Sequence, residues 1–440
     1  MPALPRILIF AGFFPPDNRT AARRPYYMAR HFADRGHDVT VVTREASSND
    51  WTPVMDGIRT IRFPISRRTP GLGPAGRVLE RAHWWLMDRG HVRIARTLAD
   101  LLLPLDVWSR PDMDPRRIGQ MVPPPDIVLA TGGPWSNFEH GHHASRHWGC
   151  AYVVDYRDPW TLVHPEVGLS AVTYRGRGIT GAWRRVRAAR LERRYTADAR
   201  AVVAVTPQVL ANARAVIGPK PGLVVYNGHA PAGPSQPPRR AGGKLVLVYT
   251  GTVYLEQEWM LLDTALKQLR HRRPTVYEGI ELRLIGATSR VPADRQAVER
   301  IVHGHTCVRA IPAMARDQAL AAQRSADLLL HIGFKGKDGI LPLKFMEYLH
   351  ADRPIMHVGT GNDLQCALLQ RTATGAVLST PEAVVRHLEE AHRHHVAGRA
   401  QPYAPDRQAL QEFTWSAQME RLRLVFLDLV MGRALPTTPR

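Results

Sequence analysis

The densest group of residues able to hold an anion lies between Lys335 and Leu349. Lys335, Lys337 and Lys344 fall within ten positions of a chain whose only other lysines are Lys220, Lys244 and Lys267. Glycine at 336 and 339 lets the backbone come close to a ligand. The run follows an apolar strand, Asp327–Ile332, and enters a helix near Pro342. Gly339, Ile340, Leu341 and Pro342 therefore sit just ahead of helix N–H groups that have no carbonyl partner. Lys344 reaches the same place as a point charge, and Glu347, one turn further on the same face, is placed to accept two sugar hydroxyls. The chemistry served is retention of a phosphate or diphosphate. The bland alternative is a loop with an intrahelical Lys–Glu contact worth only tenths of a kcal/mol.

A second cluster, Asp155-Tyr156-Arg157-Asp158-Pro159-Trp160, puts two carboxylates and a guanidinium at the carboxyl end of an apolar strand. It reads either as a polar clamp for hydroxyl groups or as an ion pair that fixes its own loop. Gly12-Phe13-Phe14-Pro15-Pro16 follows the first strand, with Arg19, Arg23 and Arg24 behind it as phosphate ligands or as solvated charge. With one glycine in 12–24 and no G-K-[ST], this is neither a dinucleotide fingerprint nor a Walker loop. His140, His143 and His147 share a helical face beside His142, but no carboxylate falls on that face, and His392, His394 and His395 form a second run. No metal site is expected. Asp112-x-Asp114 lies in a proline-rich loop and is read as loop.

The elements that must position these groups alternate along the chain. Strands at Arg6–Phe10, Asp38–Thr43, Asp126–Thr131, Ala151–Asp155 and Ala201–Val205 are separated by helix-like segments near 21–35, 135–148, 180–197 and 207–216. Residues 230–243, rich in proline and glycine, read as a linker. Strands at Leu245–Thr250, Ile280–Ile285, Asp327–Ile332 and Pro354–Val358 then alternate with helices near 257–272, 315–325, 342–351 and 381–397. The expectation is an α/β chain of two doubly wound parallel domains facing a central cleft, residues 1–229 and 244–407, with 408–440 returning to the first.

A 440-residue chain exceeds what one core supports, and 44% hydrophobic with 22% charged residues excludes disorder as a description of the whole. Three scattered cysteines suggest no disulfide framework, and the reading is of a cytoplasmic protein. Of the +20 formal charge, residues 1–250 hold 35 basic against 19 acidic groups, and 251–440 hold 24 against 20. A basic excess in one half steers anionic partners toward it. Nine arginines between Tyr174 and Ala201 flank an apolar stripe at Ile179, Ala182, Trp183, Val186 and Ala189. That stripe, like the segment 78–103 with Trp84 and Trp85, suits either packing on its own domain or an anionic membrane surface.

In order along the chain, Phe14-Pro15-Pro16, Arg35-Gly-His-Asp-Val-Thr-Val-Val-Thr43, Asp155-Tyr-Arg-Asp-Pro-Trp160, Tyr249-Thr-Gly-Thr252 and Leu341-Pro-Leu-Lys-Phe-Met-Glu-Tyr-Leu349 resemble the landmarks of glycosyltransferase family 4. The resemblance spans nearly the whole chain. It implies a GT-B fold, an acceptor-side N-terminal domain, a nucleotide-sugar C-terminal domain, and a returning helix at Phe413–Met431. Lys344 and Leu341–Pro342 would contact the diphosphate, Glu347 the ribose, and Gly251 and Thr252 the donor. Lys335, Lys337, Gly339 and Ile340 complete the donor side, with Gly12, Arg23, Arg24, Asp155, Arg157 and Asp158 on the acceptor side. Lys344, Glu347, Asp158 and His140 are the candidate catalytic groups. Three departures stand out: Gly339 occupies the place of the first glutamate of the family's E-x7-E pair, Val-Tyr-Leu-Glu-Gln replaces an Arg-x4-Lys pair after Gly251, and the acceptor loop lacks the usual Gly-Gly.

The function implied is retaining, metal-independent transfer of a sugar from a nucleotide-diphosphate sugar, with no resident cofactor. The acceptor would be a saccharide or lipid-linked molecule in cell-surface polysaccharide or glycolipid synthesis, at the inner face of the membrane. A nucleotide-sugar epimerase or hydrolase on the same fold is one alternative. A basic nucleic-acid binder is another, although no nucleic-acid module is found and no nucleic-acid partner is expected.

Overall fold

A computed structural model describes residues 4–46, 53–65, 67, 72–102, 113–161, 178–229, 243–254, 257–288, 292–335, 339–360, 364–433 and 435. The linker at 230–242, Lys337, Asp112, Arg175 and Arg177 lie outside the described residues. The chain divides into two compact units, Met1–Asn227 with Ser416–Arg440, and Gly228–Trp415.

The first unit holds strands β1 (Ile7–Phe10), β2 (Val39–Arg44), β3 (Ile58–Phe63), β4 (Ile127–Thr131), β5 (Ala151–Tyr156), β6 (Ala201–Ala204) and β7 (Gly222–Val224). They form one parallel sheet in the order β3-β2-β1-β4-β5-β6-β7. Its central strands are near-continuous runs of valine, isoleucine, leucine and alanine buried along their length, as strands covered on both faces by crossover helices must be. Those helices are α1 (Arg23–Asp34), α2 (Pro74–Asp88), α3 (Val92–Leu102), α4 (Pro115–Gly119), α5 (Ser136–Trp148), α6 (Gly178–Thr196) and α7 (Pro207–Ile217). Local signals set their ends. Thr206 accepts from the Val209 amide with Pro207 at the first helical position, Asp114 accepts from the Arg116 amide, and Gly149 closes α5 in the left-handed region.

The second unit repeats the scheme with β8 (Leu245–Thr250), β9 (Ile280–Ile285), β10 (Val308–Ile311), β11 (Leu328–Ile332), β12 (Ile355–Val358) and β13 (Gly375–Leu378), parallel in the order β10-β9-β8-β11-β12-β13. Its helices are α8 (Trp259–Arg272), α9 (Pro274–Glu278), α10 (Pro292–Gly304), α11 (Arg316–Ser325), α12 (Leu343–Leu349), α13 (Leu364–Thr372), α14 (Pro381–Val396) and α15 (Arg407–Gln411). In each sheet the winding direction reverses once, between β1 and β4 and between β8 and β11. Loops diverge there at the carboxyl ends of the strands and leave a crevice for a ligand.

The last helix, α16 (Trp415–Val430), belongs to the first unit from Ser416 onward. Phe426 stacks on Phe32 of α1 with ring centroids 5.0 Å apart, and Glu420 meets His31 at 2.8 Å. The Tyr226 amide donates to Gln418 Oε1 at 2.8 Å, tying the helix to the end of the sheet. Because Phe426 is fully buried, Phe426→Ala is expected to cost the first unit about 3–5 kcal/mol in urea unfolding. A loss under about 1 kcal/mol would mean that the helix is not docked.

Candidate active site

At the switch point of the second unit, Lys344 stands in the first turn of α12 beside the end of β8. Its ammonium donates to the Tyr249 hydroxyl and to the Thr252 carbonyl at 3.2 Å, and lies 4.0 Å from the Tyr249 ring centroid. Burial pushes its pKa down to about 7, with the Glu347 charge opposing the shift. Tyr249 is a core residue of β8, and burial holds its phenol well above the ordinary range, so it stays a neutral partner. Gly251 follows at φ +87°, a conformation that favours glycine, and a Cβ there would lie 3.9 Å from Lys344 Cδ. Gly339 is also left-handed, at φ +80°; Leu341 is buried, Ile340 and Pro342 are half-buried, and Lys335 is exposed. With seven residues, α12 is too short for a large dipole, so the charge on offer is mainly that of Lys344.

The frame around Lys344 is tightly hydrogen-bonded. The Thr250 amide donates to Tyr348 Oη at 2.8 Å, and Gln323 Nε2 of α11 donates to Thr250 Oγ1 at 3.0 Å. Glu258 joins two more loops: its amide donates to Gly333 O at 2.9 Å and its carboxylate accepts from the Thr360 amide at 2.7 Å. Beneath α12, buried His331 and His357 meet Nδ1 to Nδ1 at 2.9 Å, and burial keeps His331 well below its usual range and neutral.

Glu347 has a partner that the sequence reading missed. Arg316, which opens α11 just past β10, donates through Nη2 to Glu347 Oε1 at 2.6 Å, with side chains 36% and 14% exposed. Only the arginine end of this pair is well solvated, so Arg316 can leave without stranding its own charge in the interior. The signal for Arg316 was its place after a strand, and β10 shows only Val308-Arg-Ala-Ile, with both middle residues exposed.

The acceptor-side expectations are corrected in part. Asp155 does not face a ligand: Arg24 takes both of its oxygens, at 2.7 and 3.0 Å, with side chains 2% and 0% exposed, and Arg24 also donates to Val225 O at 2.8 Å. Asp155 is therefore held in an internal ion pair with Arg24, from outside the cluster, and does not serve as a hydroxyl clamp. At Gly12 a Cβ would collide with the Pro134 ring, so glycine is needed there for packing. Arg23 is buried and donates to Asn18 Oδ1 at 2.6 Å. His140 is buried, with its ring stacked on Phe10 at 6.2 Å. Arg157 donates to Gly133 O at 2.8 Å and Ala21 O at 3.1 Å, joining three loops, and its neighbour Asp158 keeps a half-exposed carboxylate. Among the described residues, no three or more His, Cys, Asp or Glu side chains gather as metal ligands.

The loop bearing Asp158 rests on an unusual group. Glu192 of α6, fully buried, accepts from Tyr156 Oη at 3.0 Å and from the Thr161 amide at 3.1 Å, and burial pushes its pKa up to about 7. Trp160 of the same loop stacks on Trp135 at 5.1 Å. The inner face of α6 is thus Gly181, Ala188, Glu192 and Tyr195, whereas Ala182, Trp183 and Val186 of the expected packing stripe are exposed. Val78, Trp85 and Ile94 of α2 and α3 are exposed as well, with Arg89 over the Trp85 ring at 4.2 Å. No helix among the described residues is long and apolar enough to cross a membrane.

Residues 19–228, just under half of the chain, match the family model of the glycosyl transferase 4-like domain. Among solved structures, sucrose-phosphate synthase from Thermosynechococcus elongatus is 14% identical at a TM-score of 0.59, covering 98% of this chain and 100% of its own. Trehalose-6-phosphate from E. coli bound with UDP-2-fluoro glucose is 13% identical at 0.56, covering 97% and 99%. Anabaena HepE in complex with UDP and glucose is 12% identical at 0.55, covering 96% and 100%. No curated protein matches the chain in sequence. The fold is that of the GT-B glycosyltransferases, and residues 19–228 match the model of the glycosyl transferase 4-like domain.

Glu192 allows a direct check of the loop's anchor. A carboxyl with its folded pKa raised above its unfolded value binds more protons when folded, so it favours folding at low pH and loses that contribution as pH rises toward about 7. Glu192→Gln keeps the shape without the charge. The variant should melt higher than the parent near about pH 8 and close to it near about pH 5; an equal difference at both values would show that Glu192 does not titrate in this window.

Proposed function

We propose, from a GT4-like domain on a GT-B fold, that the chain is a retaining, metal-independent glycosyltransferase using a nucleotide-diphosphate sugar. The second unit supplies the donor side and the first the acceptor side. The observation that carries the reading is Lys344, an ammonium desolvated at the switch point against a neutral phenol and a carbonyl, which a diphosphate would complete. Glu347 would take the ribose hydroxyls and the open loop at Gly251 would receive the sugar phosphate.

In the proposed reaction the sugar C1–O bond to the diphosphate breaks as the acceptor oxygen bonds to C1 on the same face. The acceptor hydroxyl passes its proton to the departing phosphate oxygen. Lys344 stabilises the charge growing on that diphosphate, for which one preorganised donor contributes about 2.7–4 kcal/mol. Asp158, the half-exposed carboxylate of the acceptor-side cluster beside Arg157, would orient the acceptor.

The acceptor we favour is a lipid-linked saccharide at the inner membrane face, in cell-surface polysaccharide or glycolipid synthesis. Exposed Trp183 and Val186 beside the exposed Arg185 and Arg190, and exposed Trp85 and Ile94 on α2 and α3, support peripheral docking on anionic lipid.

The test is a thermal-shift panel of UDP, GDP, ADP and their sugars, in which one nucleotide should raise the melting temperature by mass action; no shift with any of them would remove the reading. Lys344→Ala should lower turnover by about two to three orders of magnitude with the fold intact. Because a bound diphosphate raises the Lys344 pKa from about 7, binding takes up a proton. Affinity should therefore fall, by up to about tenfold per unit, as pH rises above about 7, and Lys344→Arg should flatten that slope. For docking, vesicles containing phosphatidylglycerol should retain the protein at low salt, and Trp183→Glu with Trp85→Glu should release it. Equal retention of parent and variant would refute the surface.

A further inference from the structure

We infer that Arg316 is a donor-site residue that exchanges partners on loading: it covers Glu347 in the empty site and turns to the diphosphate once ribose claims that carboxylate. The inference rests on the donor reading above and deepens it. Arg316 stands at the start of α11 just past β10, at the carboxyl edge where the Gly251, Gly339 and Lys344 loops also emerge. Its Nη2 bonds Glu347 Oε1 at 2.6 Å.

The pair is not what fixes α12. That helix is already tied to β8 and α11 through Tyr348, Thr250 and Gln323, and Phe345, Met346, Tyr348 and Leu349 are buried. Its solvation also differs from that of a permanent pair. Arg24 and Asp155 are 2% and 0% exposed, so neither can leave without stranding a buried charge, whereas Arg316 is 36% exposed and can rotate away into water. A vicinal diol occupies both oxygens of a carboxylate, and the displaced guanidinium keeps five N–H donors in a planar fork that suits phosphate oxygens. Charge is needed there, because Thr252-Val-Tyr-Leu-Glu-Gln257 brings no cation after β8, which leaves Lys344 and exposed Lys335 as the described lysines of the site.

The exchange predicts effects of opposite sign from one substitution. With the nucleoside diphosphate that most stabilises the protein among UDP, GDP and ADP, and with its bare nucleoside, binding to Arg316→Ala is compared by calorimetry with binding to the parent. The nucleoside should bind about two- to fivefold tighter, because it no longer competes for Glu347. The diphosphate should bind about tenfold weaker or more, because a charged hydrogen-bond donor is gone. Arg316→Lys should recover part of the diphosphate affinity only. If both ligands weaken together, Arg316 merely positions Glu347 and the inference is wrong; if neither changes, it is a surface charge and the inference is wrong. If the parent binds none of the three diphosphates, the donor reading itself fails and takes this inference with it, an outcome separable from failure of the variant alone.

Discussion

The second unit is organised around one incompletely compensated charge. The Lys344 ammonium has lost much of its water and received a phenol hydroxyl, a ring face and a carbonyl in exchange, none of them anionic. Neutral partners replace hydration only partly, which is why the proton is held weakly. The arrangement persists because its partners cannot move: Tyr249 is a core residue whose hydroxyl also meets the Thr252 carbonyl at 2.8 Å, and Thr250 is clamped from α11 and α12. An arriving anion therefore finds its cation already oriented, with little reorganisation left to make.

Two arginine–carboxylate pairs show how burial separates architecture from chemistry. Arg24 and Asp155 join α1 to β5 and reach the end of β7 through the Val225 carbonyl, with no exposed edge. Removing one partner would leave a charge in the interior, which is strongly destabilising, so the pair is fixed. Arg316 and Glu347 share the same chemistry, but Arg316 is 36% exposed and can exchange its partner for water. Both cases pair an arginine with a carboxylate, and solvent access divides them.

That distinction explains what was legible in the sequence. Central strands are apolar throughout because helices cover both faces, so β1, β4, β8 and β11 stood out, and with them the Lys344 loop. The strands that went unread, β3, β7, β10 and β13, are the sheet edges; in two of them, Ile58-Arg-Thr-Ile-Arg-Phe and Val308-Arg-Ala-Ile, arginine is interleaved with apolar residues. Missing β10 hid the position of Arg316. In the first unit, Asp155-Tyr-Arg-Asp marked the right strand end, but no pattern within it said that Asp155 points inward to a residue 131 positions away.

The rotation of α6 shows the same limit of pattern against packing. Ala182, Trp183 and Val186 of its apolar stripe face outward, which hydrophobicity alone would not choose. What turns the helix is a set of specific inner contacts: small residues at Gly181 and Ala188 allow close approach, and Glu192 has to reach Tyr156 and the Thr161 amide. A buried carboxyl is costly unless its hydrogen bonds are met, so rotating α6 to hide Trp183 would break two of them and carry Glu192 into solvent on the far side. The group that supports the Asp158 loop is thus also the group that leaves Trp183 and Val186 facing outward.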